Sequence, residues 1–253
     1  MFASVGGLPI TRVGDPFVNF YLVEEESRLT MVDGGLPAHR AGLDQALGSM
    51  GRALSDIEAI LITHAHPDHL GIVESVRRGS GADVFVHELD KQVLQTMSHP
   101  VPPVAIFKHL RHLFFARYLV SLFVGGIHRV EPVTDDVYAF SGGESLDVPG
   151  RPITAHTPGH TPGSSVFGFG ESDALLTGDS LVTLSLSGRV GPCLVPAPFT
   201  EDVRRGEASR AVIEQLGHRW LLPGHGAVWD RRTDEEAAMD GAHSPPVSRS
   251  PEL

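Results

Sequence analysis

The sequence predicts an α/β chain in which two sheets stack face to face with helices on their outer sides, a four-layer αββα sandwich carrying a helical insert. Short apolar runs of strand length recur along the 253 residues, with helical stretches between them. Each of several runs ends in a Gly/Pro turn that presents a His or an Asp. A chain of this length buries a large core, and α/β chains of this size commonly form one domain. We expect one domain over residues 1–230, an insert at about 96–128, and a polar tail over 231–253.

Taken in order, Ala41 to Met50 reads as a helix and Ile60-Leu61-Ile62 as a buried strand. After that strand the chain runs His64-Ala65-His66-Pro67-Asp68-His69. Residues two apart in an extended segment point the same way, so His64 and His66 can share one ion. Pro67 ends the extended run. Asp68 then stands at the expected N-cap of a helix from His69 to Arg78, so Asp68 and His69 turn toward a second ion. Three imidazoles and a carboxylate suit zinc, with iron or manganese as alternatives.

Three later strands repeat the layout. Arg151 to His156 leads to His160, Ala174 to Thr177 leads to Asp179, and Trp220 to Leu222 leads to His225. Asp202 to Leu216 is a helix between the last two. Glycines beside the ligands let the backbone approach a crowded centre. His156, next to His160, is expected to bond a carbonyl rather than an ion.

In motif and order this chain resembles the metallo-β-lactamase-fold hydrolases. His64, His66, Asp68 and His69 stand as the HisXaaHisXaaAspHis motif, followed by His160, Asp179 and His225, with Val32-Asp33-Gly34-Gly35 upstream. The resemblance implies the αββα fold and two ions. One ion takes His64, His66 and His160, the other takes Asp68, His69 and His225, and Asp179 bridges them. It implies a bridging hydroxide as nucleophile, since two ions about 3.5–4 Å apart lower the pKa of a shared water toward ~7. Asp68 would move the proton as the intermediate collapses. Asp33 is expected to be structural, a buried carboxylate bonded to nearby groups.

Departures from the named branches narrow the substrate. The bridging position holds Asp179, where one large group of β-lactamases has a cysteine, and other β-lactamases lack the full set of seven, so antibiotic hydrolysis is disfavoured. The stretch after His225 is too short for the glutathione-binding region of glyoxalase II-like enzymes. The lactonase and thioester-hydrolase branch remains, with an ester, lactone or thioester of a small hydrophobic acyl compound as substrate. A mononuclear iron persulfide dioxygenase, an oxidoreductase sharing these motifs, is the alternative. A catalytically idle metal-binding scaffold is a third.

The charge pattern adds a second feature. Net charge is −11, which argues against nucleic-acid binding. Yet from Lys91 to Val130 there is no acidic residue, while Lys91, Lys108, Arg111, Arg117 and Arg129 are basic. Within that run Val104 to Val124 reads as an apolar, basic helical stretch. It is open to three readings: a helix packed on the core or in a homodimer interface, a lid whose aromatics line an acyl pocket and whose cations face an anionic group, or a membrane-surface helix. The lid reading makes Phe114 and Tyr118 substrate contacts, and Thr183, Ser185 and Arg189 lie on a segment expected near the cleft. Charges interrupt the apolar residues too often for a transmembrane span. Residues Met1 to Pro9 lack the features of a signal peptide, and Cys193 is the sole cysteine, so the cytoplasm is the expected compartment.

Overall fold

The computed structural model describes residues 9–98, 113–197 and 199–232. The first part of the insert, with Lys108 and Arg111, and the tail from residue 233 lie outside the described residues. Strands β1 (Ile10–Gly14), β2 (Asn19–Glu25) and β3 (Arg28–Val32) form an antiparallel meander, which β4 (Ile57–Leu61), β5 (Asp83–His87) and β6 (Val137–Phe140) extend in parallel. Helices α1 (Arg40–Met50), α2 (Pro67–Leu70), α3 (Val73–Ser80), α4 (Lys91–Thr96) and α5 (Leu113–Val124) fall between these strands. The second half contributes β7 (Ile153–His156), β8 (Ser165–Phe169) and β9 (Ala174–Gly178), the ribbon β10 (Val182–Leu184) and β11 (Val190–Cys193), helix α6 (Val203–Leu216), and β12 (Trp220–Pro223) with β13 (Trp229–Asp230). Its sheet runs β13-β12-β9-β8-β7.

Strand alternation explains the stacking. In the first sheet Leu22, Met31 and Ile60 face one way, onto Leu43 and Leu47 of α1 and Val73 and Val76 of α3. Their neighbours Tyr21, Val23, Val32 and Leu61 face the other way and meet Phe167, Phe169, Leu176 and Leu222 of the second sheet. On the far side of that sheet Val166, Leu175 and Leu221 pack against Ile213 of α6. Strands covered on both faces must be apolar along their length, which is why Ile60-Leu61-Ile62 and Trp220-Leu221-Leu222 read as continuous runs rather than alternating ones. Helix, sheet, sheet, helix is the four-layer α/β sandwich.

Two boundaries differ from the expectation. The helix expected from His69 to Arg78 breaks at Gly71, because the amides of Gly71 and Ile72 donate to Gly35 O and Gly34 O at 2.7 and 3.2 Å instead of continuing the helix ladder. Gly34 N in turn donates to His69 O at 2.6 Å, so the turn after β3 is laced into the α2–α3 junction. A Cβ on Gly71 would collide with the backbone of Gly35 and Leu36, so only glycine permits this approach. The N-cap is His66, with extended backbone, and not Asp68; Pro67, whose fixed φ suits a first helical position, starts α2 two residues earlier.

Candidate metal centre

One rim collects the side chains singled out in the sequence. Asp33 follows β3, Thr63 to His69 follow β4, His160 lies on the turn after β7, Asp179 follows β9 and His225 follows β12. Strands from both sheets end together here, so residues far apart in sequence converge. Three donor groups form, each with its ligand atoms within 4.8 Å of one another: His64, His66 and His160; Asp68, His69 and His225; and His64, His69 and Asp179. Asp179 stands between the two trios. Its Oδ2 lies 3.4 Å from His160 Nε2 and 3.0 Å from His225 Nε2, and its Oδ1 lies 3.5 Å from His69 Nε2.

Outer contacts decide which nitrogen of each imidazole faces the centre. Asp33 accepts His69 Nδ1–H at 2.9 Å and the Thr63 hydroxyl at 2.8 Å, and that hydroxyl sits 3.1 Å from His64 Nδ1. With its proton committed to Asp33, the Thr63 oxygen accepts from His64 Nδ1–H. Phe17 O accepts His225 Nδ1–H at 2.6 Å. Thr200, whose hydroxyl donates to Val195 O, is left to accept from His160 Nδ1 at 3.4 Å. The Nε2 atoms of His64, His69, His160 and His225 thereby face inward, as ligation requires, with His160 Nε2 standing 2.8 Å from His66 Nδ1. His64 Nε2, His69 Nε2 and Asp179 Oδ1 are fully buried with no hydrogen-bond partner. Such orphaned atoms are costly unless a cation satisfies them, so the donor set fits divalent metal.

The electrostatics divide the rim. Burial, reinforced by His69 and the other imidazoles, pushes His64 well below the usual imidazole range, and burial likewise lowers His160. Both imidazoles are held neutral, the form in which an imidazole nitrogen can ligate a metal. Burial opposes charge on His69 too, but Asp179, Asp33 and Asp68 outweigh it and raise that imidazole; His225 is raised against burial by Asp179. Asp179, although buried, is held below the ordinary carboxylate range by His225 and His69. A field that favours a proton on His69 favours any cation at that place.

One residue unremarked in the sequence, Asp90, and one of the glycines beside the donor residues, Gly224, complete the frame. Buried Asp90 accepts from Ala65 N at 3.0 Å, the Thr161 hydroxyl at 2.8 Å and Gly163 N at 2.7 Å, clamping the His64–His66 loop to the His160 turn. Gly224 makes room for the centre: a Cβ there would stand 2.5 Å from both Asp179 Oδ1 and His69 Cε1. His156 takes the carbonyl contact expected of it, its Nε2–H donating to Pro162 O at 2.8 Å, and stacks on His87 with centroids 4.0 Å apart.

Above the rim opens a cavity of about 840 Å³, walled by Phe17, Phe114, Phe115, Leu119, Leu122 and Phe199 and floored by His66, Asp68, His160, Asp179 and His225. Helix α5 supplies much of that wall. Its Tyr118 donates a 3.0 Å hydrogen bond to Asp68 Oδ2, the oxygen 3.5 Å from His225 Nε2. Phe114 and Tyr118 therefore lie where the lid reading puts them, and Ser185 lines the cavity as well. Thr183 does not. It is buried under the rim with its hydroxyl donating to Ala227 O at 2.6 Å, which removes it from substrate contact. No Lys or Arg is among the described lining residues, because Arg117 lies on the outward side of α5 and Arg189 sits away on the β10–β11 turn.

The profile of the Metallo-beta-lactamase superfamily matches residues 13–225. The chain belongs to that superfamily. Two Bacillus subtilis relatives are each 29% identical: Uncharacterized protein YobT, over 83% of this chain and 83% of its own, and Probable metallo-hydrolase YqjP, over 88% and 73%. Among solved structures, metallo-beta-lactamase family protein TTHA1429 from Thermus thermophilus is 27% identical with a TM-score of 0.64, covering 93% of this chain and 80% of that one. This superfamily chain thus has the divalent-metal fold and His/Asp clusters suited to it.

Proposed function

We propose that this protein is a dinuclear metal-dependent hydrolase acting on the ester, lactone or thioester bond of a small molecule with an apolar acyl part. The carrying observation is the pair of donor trios sharing Asp179 at the floor of a cavity walled by aromatic and aliphatic side chains. Zinc is the metal we assign, from a donor set of five imidazoles and two carboxylates. When bound, two such ions supply Lewis acidity and a nucleophilic water at neutral pH.

The chain's own residues do the rest. His64, His66 and His160 would hold one ion and Asp68, His69 and His225 the other, with Asp179 within reach of both groups. The aromatic walls exclude water and seat the acyl part, which strengthens every electrostatic contact at the floor. Asp68 faces the cavity and is placed to carry a proton to a leaving oxygen or sulfur, with Tyr118 orienting the carboxylate that does so.

Protein purified without added metal should contain close to two zinc ions per chain. It should turn over members of a panel of p-nitrophenyl esters, γ-lactones and acyl thioesters, preferring longer acyl chains. One iron per chain with oxygen uptake on a persulfide would overturn the reading in favour of oxygen chemistry.

A further inference from the structure

Helix α5 is apolar on both sides. Its inner side walls the cavity, and such a helix is ordinarily enclosed by protein or by lipid. Here the outer side is open: Leu113, Val120 and Val124 are each between 61% and 77% exposed, and Phe123, at the edge of the cavity, is 68% exposed. Leu113, Arg117, Val120 and Val124 recur at the spacing of one helical stripe. With Phe17, Ala116 and Ser121 they line a shallow groove in which Arg117 is the one charged residue. Single exposed apolar residues need no explanation, but a contiguous row beside a cavity mouth does.

Charge selects the occupant. No carboxylate lies between Lys91 and Val130 in a chain of net charge −11, and the exposed side chains here include Arg117 and Arg129. Among the described residues Arg117 has no ion-pair partner. A second copy docked through a two-fold axis would lay this stripe against itself and bring Arg117, near its middle, close to its own counterpart with no acid in the stripe to neutralise the pair. An anionic headgroup layer pairs with Arg117 and lets the flanking aliphatic and aromatic tips enter the acyl boundary. One carboxylate borders the groove, Asp15, which accepts from the Ser121 hydroxyl at 3.2 Å; the acidic excess otherwise comes from outside residues 91–130.

We propose that the outward face of α5 is a docking surface for an anionic lipid bilayer, holding the cavity mouth against the membrane. Docking is peripheral, since no described helix is long and apolar enough to cross a membrane. It does not depend on which bond the metal centre cleaves.

The test uses the full chain and sedimentation with vesicles of phosphatidylcholine, with and without phosphatidylglycerol. The protein should bind the phosphatidylglycerol vesicles, less so as salt rises, and Arg117→Glu and Val120→Asp should each weaken binding roughly tenfold. Arg117→Lys should retain it. Neither side chain lines the cavity, so turnover of a soluble ester and the melting temperature should stay at wild-type values. Equal binding to both vesicle types, no binding to either, or a solution dimer that Val120→Asp dissociates would overturn the proposal.

Discussion

The two donor trios differ in kind. His64, His66 and His160 are held by a backbone clamp: Asp90 accepts from three donors on two loops, and the imidazoles it positions sit among other imidazoles, in a setting that keeps His64 and His160 neutral. Asp68, His69 and His225 are held by carboxylates and a carbonyl, in a field that raises both imidazoles, and Tyr118 of α5 reaches in to touch Asp68. The lesson is a division of labour within one rim. The first trio is an anchor whose supports lie inside the sandwich, and the second is the side that α5 touches through Tyr118.

Replacing the shared residue breaks the comparison outright. Asp179→Ala should remove metal from both trios and lower kcat/KM by about a thousandfold or more; metal analysis alongside turnover checks both. Asp33→Asn distinguishes the trios, because it weakens the Asp33 contacts to His69 and Thr63 while leaving the Asp90 clamp intact. We expect the metal of the second trio to bind about 10–100-fold more weakly and that of the first to weaken less, through the Thr63 hydroxyl that Asp33 holds at His64 Nδ1, as read by calorimetric titration. Equal weakening at both would show that the trios are not separately supported.

Tyr118→Phe sharpens the contrast further. Losing a hydrogen bond to a carboxylate costs about 1.5–3 kcal/mol at most, so turnover should fall roughly tenfold with metal content unchanged. The smallest effect is expected at Asp15. Burial works against its charge, but the His39 side chain and the amides of Val18 and Phe17 hold its pKa at about 2, below the ordinary 3.8. That turn carries the Phe17 carbonyl beneath His225. A depressed carboxylate stabilises the fold above its ordinary pKa and loses that contribution as pH falls through the depressed one. The stability gap between wild type and Asp15→Asn should therefore be constant above about pH 4 and shrink toward pH 2, as urea melts across that range would show.

The sequence is legible where chemistry is local. His64, His66, Asp68 and His69 fall within six residues, so spacing alone gives their directions, and apolar runs beside Gly/Pro turns locate the other three donors. What escapes depends on distant partners. The break at Gly71 exists because Gly34 and Gly35, after another strand, take its amide bonds. Asp90, in Leu89-Asp90-Lys91, looks like a solvated charge until the His160 turn folds onto it. Thr183 reads as a cleft residue because it follows Asp179 closely, yet the chain after His225 captures its hydroxyl. The apolar, basic segment is open to several readings because composition does not say which side of a helix each residue occupies. The structure puts Phe114 and Tyr118 inward and Arg117 outward.

The hydrogen bonds joining the halves of the sandwich have a consequence for folding. Asn19 donates to Pro223 O and Gly226 O at 2.9 and 2.7 Å, Tyr21 to Pro223 O at 2.8 Å, and Ser165 N to Thr63 O at 2.9 Å. These sutures close some of the longest loops in the chain without help from an ion. The metal is then a guest in a finished house rather than its keystone. Protein stripped by a chelator should keep its near-ultraviolet circular dichroism and melt in one cooperative step, shifted down only by the binding energy it has lost.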